Sequence, residues 1–465
     1  MRIPFALSSY QARASTVSDQ RLVNAYTEVT PEGSKTQVPV YGTPGIKAFT
    51  TVGTGPIRGG AIYKGMAYVV SDQDLYRVNE AGAATLIGRV AGSDRCLFAA
   101  GDHLLILSDG NLHYYDGTTL ALVDDPDFKG ASTLAWLGGY YIYPKPDTGV
   151  FYVSNVEAPN EIEPLNYATA EYLPDSIVSV SVDHNDLIIF GETSTEIWNQ
   201  RGGDFPFLRV ANGVLEIGCI APHSPAKVDN TVYWLANDKT IRALRGTTPE
   251  LVSTAAMSKD FENYSKLDDA FGMSMTIDGR VTYVITFPTA GKTWQLSANT
   301  GLWNELESFD SAGRWKVDGY LSVYNKNLVW DYTTNKIGEL DTDTYDEWGD
   351  ALVYLIRSAP VAEGNKWLFH SNLFLDFETG GPSQTDAISS AERDALVMIR
   401  WSDDGGKTWG TTHTRSLGRI GEFAQRVSMN QSLGRSKNRV YEVSISDSVY
   451  RRFVGAEGDI QLGGY

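Results

Sequence analysis

A repeat of about 40 residues occupies most of this chain between residue 63 and residue 345. Each copy has a tight turn, an apolar strand, a short polar loop and a second strand rich in aromatic residues. The copies begin at Tyr63, Ala100, Leu137, Asp183, Val228, Ile277 and Val317. Four-stranded propeller blades need a period of about 40–45 residues. The repeat therefore predicts an all-β protein with a β-propeller of about seven blades, and six blades would also fit.

Turn dipeptides separate the apolar runs and support the all-β prediction. Asp109-Gly110 and Asp278-Gly279 are two of several Asx-Gly pairs, which adopt the positive φ angles of tight hairpins at little steric cost. Helical periodicity is scarce. The exception is Thr254 to Tyr264, where Phe261 and Tyr264 follow three alanine and methionine positions at helical spacing. We expect one helix there, inserted between two blades.

The pattern changes near residue 345. Asp341 to Glu347 is an acidic, turn-like stretch, and beyond it strands alternate between apolar and polar residues, as in Tyr441 to Ser446. We therefore predict three regions. Residues 1–50 form an N-terminal arm and propeller-closing segment, residues 51–345 the propeller, and residues 346–465 a C-terminal β-sandwich-like domain.

Charge and composition exclude several classes of protein. The 465 residues carry a formal net charge of −18, which disfavours general nucleic-acid binding and docking on anionic membranes. No apolar stretch reaches 18 residues, and the apolar run at the N-terminus is too short for a secretion signal. Synthesis in a cytoplasm is therefore expected. Cys96 and Cys219 lie far apart in sequence and are interpreted as buried apolar residues.

Catalytic and metal-binding motifs are not found in the sequence. There is no nucleophile elbow, zincin motif or phosphate-binding loop. His103 and His113 fall on one predicted hairpin, where packing is favoured over a metal site. Asp341 to Glu347 begins like a calcium loop but lacks its glycine and its bidentate glutamate, so a solvated turn is favoured over calcium. We predict no catalytic, cofactor-binding or metal-binding residues.

The most specific local motif is an Asp-box, S-x-D-x-G-x-T-W. Its members are Ser402, Asp404, Gly406, Thr408 and Trp409. The aspartate can accept hydrogen bonds from turn amides while the tryptophan packs beneath the turn, so a structural role is predicted. The motif is familiar from sialidases, where it is usually repeated. One copy occurs here, and nothing in the sequence places a sialidase's arginines and tyrosine together.

Basic residues concentrate near the C-terminus, and residues 400–465 hold ten Lys or Arg against seven Asp or Glu. The cluster consists of Arg415, Arg419, Arg426, Arg435, Lys437 and Arg439. One interpretation is a solvated face. The other is a docking surface for an acidic partner, whose charge would set orientation and encounter rate. On the second interpretation, reversing the charge of Arg435 and Arg439 together weakens docking without unfolding the domain.

Several segments taken together resemble one known family. They are Arg21–Tyr26, Tyr41–Ile46, Asp269–Gly272, Thr286–Trp294, Asn299–Glu305, Arg400–Trp409, Arg415–Glu422 and Leu433–Arg439. In combination they resemble the packaged-DNA stabilisation proteins of short-tailed bacteriophages, also called tail hub or head-closure proteins. The resemblance spans nearly the whole chain.

The resemblance implies a structural protein of the virion tail and no enzyme. Family members form a homo-hexameric hub that docks beneath the portal and its adaptor protein. The hub continues the DNA channel, supports the tail needle, fibres or spikes, and helps retain the packaged genome. DNA would pass through without sequence-specific binding, and an acidic channel wall would let it slide. The alternative is a carbohydrate-binding or sialidase-like glycosidase propeller, with exposed tryptophans stacking on sugars.

Overall fold

Hairpins dominate the fold, as the turn dipeptides predict. The computed structural model describes residues 1–203, 205–310, 313–378, 395–418, 426–430 and 432–463. At Asp109-Gly110 and Asp278-Gly279 both residues have positive φ, between 47° and 75°, as tight hairpins require. The strands before the first blade are Arg2–Ile3 (β1), Tyr10–Gln11 (β2), Asp19–Gln20 (β3), Leu22–Val23 (β4), Ala25–Thr27 (β5), Val40–Gly42 (β6) and Gly45–Thr51 (β7).

Seven four-stranded antiparallel blades form the propeller in the described part of the chain, five as separate sheets and two as parts of larger sheets. Blade 1 consists of Ile57–Tyr63, Met66–Ser71, Asp74–Val78 and Ala84–Arg89 (β8–β11), and blade 2 of Leu97–Ala100, Leu104–Ser108, Asn111–Tyr115 and Leu120–Leu122 (β12–β15). Blade 3 consists of Ala135–Leu137, Tyr140–Pro144, Val150–Val153 and Tyr167–Thr169 (β16–β19), and blade 4 of Ile177–Asp183, Asp186–Gly191, Thr195–Gln200 and Phe207–Leu215 (β20–β23). Blades 5 to 7 are Ala226–Val228, Thr231–Leu235, Ile241–Arg245 and Thr248–Leu251 (β24–β27); Phe271–Ile277, Arg280–Phe287, Lys292–Ser297 and Trp303–Leu306 (β28–β31); and Val317–Val323, Lys326–Asp331 and Lys336–Asp341 (β32–β34) with β7.

The first strands of neighbouring blades pack against each other in a closed ring, with β32 of blade 7 against β8 of blade 1. Strand β7, from the N-terminal region, pairs antiparallel with β34 and supplies the fourth strand of blade 7. A propeller closed in this way is held together by hydrogen bonds between the two ends of the repeat. The structure has seven blades, which confirms the prediction of about seven from the repeat.

The predicted phase of the repeat was wrong by one strand. Six of the predicted starts fall on the last residue of a blade's first strand: Tyr63, Ala100, Leu137, Asp183, Val228 and Ile277. The seventh, Val317, falls on the first residue of β32. The hairpin turn after the first strand is the strongest local pattern in each copy, so it, and not the blade boundary, set the predicted start.

The predicted helix is confirmed as Ala255–Asn263 (α1), between blades 5 and 6. The Thr254 hydroxyl caps it by accepting a hydrogen bond from the Met257 amide at 3.3 Å. Its buried Met257 and Phe261 join a core shared by blades 5 and 6. No helix in the described residues is long and apolar enough to cross a membrane. Cys96 and Cys219 are buried and unpaired, as predicted.

The C-terminal domain is a two-sheet sandwich. Its further strands are Asp346–Glu347 (β35), Asp350–Ala351 (β36), Tyr354–Arg357 (β37), Leu368–Phe377 (β38), Leu396–Ser402 (β39), His413–Ser416 (β40), Val427–Met429 (β41), Arg435–Ser436 (β42), Val440–Ile445 (β43) and Arg452–Leu462 (β44). Strands β35 and β36 extend blade 7 beyond β7. One sandwich sheet has the order β41-β38-β44-β6-β5, with β1 on β44 and β42 on β38. The other has the order β4-β37-β43-β39-β40.

N-terminal strands complete the sandwich, which the sequence did not predict. Ile3, Leu22 and Val40 share one buried core with Leu375 and Val443 of the C-terminal strands. Strand β4 also pairs in parallel with β31 of blade 6 and antiparallel with β37. Blade 6 and one sandwich sheet are therefore a single nine-stranded sheet. The two domains are joined by backbone hydrogen bonds as well as by the connecting chain.

Candidate docking surface

The Asp-box forms a tight turn that is held by its aspartate. The Asp404 carboxylate accepts hydrogen bonds from the Lys407 and Thr408 amides at 3.0 and 2.9 Å. It also accepts from the hydroxyls of Thr408 and Ser402 at 2.6 and 2.7 Å. The Ser402 oxygen in turn accepts from the Gly406 amide at 2.8 Å. Because the hydrogen bonds from Thr408 favour the charged form, the pKa of Asp404 lies well below its usual range. This carboxylate is engaged in turn structure.

The tryptophan of the Asp-box lies against a network of buried charges. The guanidinium carbons of Arg357 and Arg400 lie 4.7 and 4.9 Å from the centre of the Trp409 ring. Arg357 Nε binds Glu442 Oε2 at 2.7 Å, and Arg400 Nε binds Glu442 Oε1 at 2.5 Å. Arg357 Nη1 also binds Asp19 Oδ2 at 2.6 Å. The network thus ties the N-terminal segment to the sandwich.

A second ion cluster lies where the N-terminal segment meets blade 6. Arg21 Nη2 binds Glu305 Oε2 at 2.5 Å, and its Nε donates to Oε1 at 2.9 Å. Lys292 Nζ lies 3.8 Å from the same carboxylate. Burial alone would raise the pKa of Glu305, but the charge and hydrogen bonds of Arg21, with Lys292, bring it below its ordinary value. The bidentate geometry fixes β4 against blade 6.

Charged and aromatic side chains meet near the propeller axis. Arg95, just before blade 2, binds Asp318 of blade 7 at 2.6 Å and stacks 3.8 Å above the Phe271 ring of blade 6. Arg314 binds the other Asp318 oxygen at 2.5 Å. His223, in the loop before blade 5, has its pKa lowered to about 4 by burial and by the Arg95 charge. Since blades 2, 5, 6 and 7 contribute, this axial cluster packs the centre of the ring.

The predicted basic residues are not one surface. Arg439 is 1% exposed and holds Asp403 through two hydrogen bonds, Nε to Oδ1 at 2.6 Å and Nη2 to Oδ2 at 3.0 Å. It also donates to the Leu433 carbonyl at 2.9 Å. Arg439 therefore belongs to the sandwich interior. Its guanidinium is already bound to Asp403, 36 residues earlier in the sequence, and so cannot contact another protein. Reversing its charge would disturb folding, so the predicted Arg435 and Arg439 double reversal is not a test of docking.

The other described cations are divided between the two sandwich sheets: Arg415 lies on β40 of one sheet, and Arg426 precedes β41 of the other. Arg426 pairs with Glu457 at 3.3 Å, and Arg415 donates to backbone carbonyls of residues 414 and 428. Arg419 lies outside the described residues. Only Arg435 and Lys437 come together: their charged groups lie 4.5 and 5.3 Å from the centre of the same ring, that of Trp367.

Around Trp367, two of the predicted cations lie beside exposed aromatic rings. Trp367 and Phe369 are 40% and 44% exposed, whereas Leu368 and His370 between and after them are buried. The outward face of β38 therefore presents two aromatic rings beside Arg435. We call Trp367, Phe369, Arg435 and Lys437 the Trp367 knob.

A cleft of about 360 Å³ opens at the junction of propeller and sandwich. Its walls hold four tyrosines, four carboxylates and two guanidiniums: Tyr26, Tyr41, Tyr345, Tyr450, Glu28, Asp278, Asp343, Glu378, Arg451 and Arg452. The Arg452 guanidinium lies 4.3 Å from the Tyr450 ring and binds Glu378 at 3.1 Å. The rim is acidic and the walls are aromatic, which suits a cationic or aromatic group from outside.

No group of three or more metal-ligating side chains occurs among the residues that the structure describes. His113 lies on β14, opposite Ile106, and His103 immediately precedes β13. In the acidic stretch, Asp341 accepts turn hydrogen bonds from the Asp343 amide and the Thr344 hydroxyl, both at 3.0 Å. The Asp341 carboxylate is therefore a hydrogen-bond acceptor within the turn.

Two family models match the chain in succession. The model for the β-propeller of bacteriophage P22 Gp10 matches residues 1–345, and that for its β-sandwich matches residues 354–461. The chain belongs to the P22 Gp10 family. It is accordingly a phage structural protein, and the resemblance seen in the sequence is confirmed. The Gp10 propeller model includes the N-terminal strands, several of which pair with the sandwich in this chain.

Solved structures outside the Gp10 family share only a general likeness. A computationally designed protein, Ika8, is 11% identical with a TM-score of 0.38, over 63% of this chain and 99% of its own. Virginiamycin B lyase from Staphylococcus aureus is 11% identical with a TM-score of 0.40, over 62% and 95%. The extracellular domain of a putative one-component system from B. thetaiotaomicron is 11% identical with a TM-score of 0.44, over 92% and 62%. No curated protein matches the sequence. These likenesses carry no argument about function.

Sequence reasoning missed the aromatic half of the Trp367 knob. It found Arg435 and Lys437 by charge but not Trp367 and Phe369. The alternation in Trp367–His370 was the available pattern, because every second residue of a strand points to one face. The tyrosines of the cleft left no such pattern, since they come from segments far apart in the chain.

Proposed function

We propose that this protein is a non-enzymatic tail hub of the virion. Several copies, six in the ring that the family resemblance implies, would dock beneath the portal and its adaptor. They would continue the DNA channel, help to retain the packaged genome, and support a tail needle, fibres or spikes. Synthesis would take place in the host cytoplasm. The match of both Gp10 models, in order along the chain, carries this proposal.

The build of the molecule supports a load-bearing role. A propeller whose ring is closed by β7 has the two ends of its repeat joined by backbone hydrogen bonds. The shared nine-stranded sheet and the Arg21–Glu305 pair hold propeller and sandwich in one orientation. A subunit that must transmit force along a tail needs this rigidity. The buried ion pairs at the junction restrict hinge motion between the domains.

The axial cluster bears on where DNA would run. Arg95, Asp318 and Phe271 fill the centre of the propeller with ion-paired and stacked side chains. A duplex about 20 Å wide would have no passage there, so the proposed channel lies between copies, along the axis of their ring. Six copies at −18 each would carry 108 negative formal charges. Acidic walls would repel phosphates and favour sliding over sticking.

The proposal is tested by electron microscopy of the purified chain, alone and mixed with the portal–adaptor complex of the same phage. We expect added density below the adaptor with the rotational symmetry of a ring. A control with portal lacking the adaptor should leave the chain unbound. A chain that never associates with the portal–adaptor complex would contradict the hub function.

The channel wall is tested separately in assembled particles. Substituting Asn or Gln for acidic residues that line the channel in that reconstruction should slow DNA ejection, because phosphates then meet less repulsion. The ejection rate is followed by fluorescence of released DNA. The same number of substitutions on the outer surface is the control. Equal rates for both sets of variants and the unmodified particle would remove the sliding argument.

A further inference from the structure

The Trp367 knob carries two cations without a carboxylate partner. Within the described residues, no carboxylate oxygen lies within ion-pair distance of Arg435 or Lys437, and Lys437 Nζ bonds only the Asn365 amide oxygen at 3.1 Å. Cations stacked on a half-exposed tryptophan form a ready-made contact for an acidic surface.

A backbone feature keeps the knob uncovered. At Gly463 a side chain would begin 2.8 Å from the Phe369 ring and 3.3 Å from Trp367 Cβ, so the close approach requires glycine. The Gly463 amide donates to the Trp367 carbonyl at 2.8 Å. The backbone at Gly463 thus lies against the two aromatic rings from one side, and this described position adds no side chain over them.

The acidic cleft lies at the opposite end of the same strand pair. Trp367 immediately precedes β38, and Glu378, on the cleft rim, immediately follows it. Arg452 begins β44 in the cleft, and Leu462 ends it at the knob. Ten residues of extended strand separate the two features by roughly 30 Å. A knob cannot reach the cleft of its own chain.

The two features are complementary in charge and shape. The knob offers an indole ring and two free cations, and the rim offers Glu28, Asp278 and Asp343, which form no ion pair among the described residues. The tyrosine walls suit edge-to-face contact with an indole. The volume of about 360 Å³ is in the range of clefts that hold a compact organic group.

We propose that the Trp367 knob of one copy docks in the acidic cleft of the next copy. Knob and cleft are different surfaces at two ends of one sheet, so the contact is heterologous, and repeated heterologous contacts form a ring when the rotation closes. This inference rests on the proposed hub function for the need of several copies. It names the surfaces that would join them.

A charge swap tests the contact in the full chain. Arg435→Glu with Lys437→Glu should weaken self-association about tenfold or more, because two attractions become repulsions. Glu28→Lys with Asp343→Lys should do the same from the other side. All four substitutions together should restore association toward the original value. Trp367→Ala should weaken it about thirtyfold, as expected for a buried aromatic anchor. Sedimentation velocity at about 0.15 M salt, up to about 50 μM chain, measures each.

Lys239→Glu with Lys336→Glu is the matched control, since both lysines are exposed on the propeller and neither forms an ion pair among the described residues. It should leave association unchanged. A monomeric unmodified chain at all concentrations, or a quadruple variant no better than either double variant, would overturn the proposal. DNA binding that the Arg435 and Lys437 reversal abolishes would instead assign the knob to phosphates. Binding of the unmodified chain to the portal–adaptor complex reports the hub function separately.

Discussion

Replacing Arg357 with Met is expected to destabilise the sandwich by about 3–5 kcal/mol, the range for breaking a buried ion pair by removing one partner. Arg357 lies between Asp19 and Glu442, and the three side chains are all at most 10% exposed. Methionine fills much of the same volume but removes the charge. Of the side-chain partners in the described residues, Asp19 then keeps the Gln11 amide at 2.7 Å, and Glu442 keeps Arg400.

Urea denaturation followed by tryptophan fluorescence measures this loss without adding salt. The matched control is Arg400→Met, which removes a cation from the same Glu442 carboxylate. Arg400 is 36% exposed, so solvent screens its pair and the expected cost is about 1 kcal/mol or less. Equal costs for the two variants would show that burial does not set the strength of this network.

The same substitution should also free the N-terminal segment. Asp19 holds residues around β3 to the sandwich, and Gly405 and Gly406 of the Asp-box turn lie against Thr16 and Asp19. Limited proteolysis of Arg357→Met should therefore begin in residues 10–20, while the propeller stays protected. Cleavage that starts in the blades would place the damage elsewhere.

The propeller could be predicted because its information is local. Each blade has its own tight turn after its first strand and its own apolar strand pair, and α1 has its own cap at Thr254. Such patterns repeat within short windows, and seven copies reinforce one another. The phase error shows the limit of the method, since the turn is more distinctive in sequence than the boundary between blades.

The sandwich and its junction could be predicted only in part because their pairing is non-local. Strands β1, β5 and β6 are two or three residues long and show no periodicity, yet β1 pairs with residues 456 and 457. The sequence of such a short segment does not indicate which strand it pairs with. The N-terminal region was therefore predicted as an arm and closing segment, without its role in the sandwich core.

The basic cluster illustrates the same limit for the candidate site. Charge is visible in sequence, but burial and pairing are not. Arg435 and Arg439 are the same residue type, four positions apart. Arg439 is nevertheless buried and bound to Asp403, whereas Arg435 is stacked on the exposed Trp367 ring. Trp367 lies about 70 residues earlier, and the pairing of β38 with β42 brings it beside Arg435.

Glu347→Gln is expected to stabilise the protein above neutral pH and to leave it nearly unchanged near pH 4.5. Glu347 is 1% exposed on β35, beside the outer strand of blade 7. Burial raises its pKa to about 7, against partial compensation from the Ser308 hydroxyl, the Lys316 charge and Trp315, while Asp310 adds to the rise. Its Oε1 atom has no hydrogen-bond partner.

The sign follows from proton binding. Between pH 4.5 and about 7 the folded chain keeps a proton on Glu347 that the unfolded chain has released, so stability falls as pH rises through this window. The full loss, about 3 kcal/mol, is reached above pH 7. Glutamine is neutral at every pH, so the variant does not lose this stability as the pH rises. The buried His223 and His370, whose pKa values are lowered to about 4, act at acid pH in both proteins and cancel in the difference.

The difference in free energy of unfolding between Glu347→Gln and the unmodified chain should therefore grow from near zero at pH 4.5 to about 3 kcal/mol at pH 8. Glu339→Gln, on β34 and separated from β35 by β7, is the control. Its carboxylate binds Lys326 at 2.7 Å and is partly exposed, so its loss should cost about 1 kcal/mol or less, with no gain at high pH. A flat difference for Glu347→Gln would show that this carboxyl is ionised in the folded protein, and that Lys316 outweighs burial at the junction.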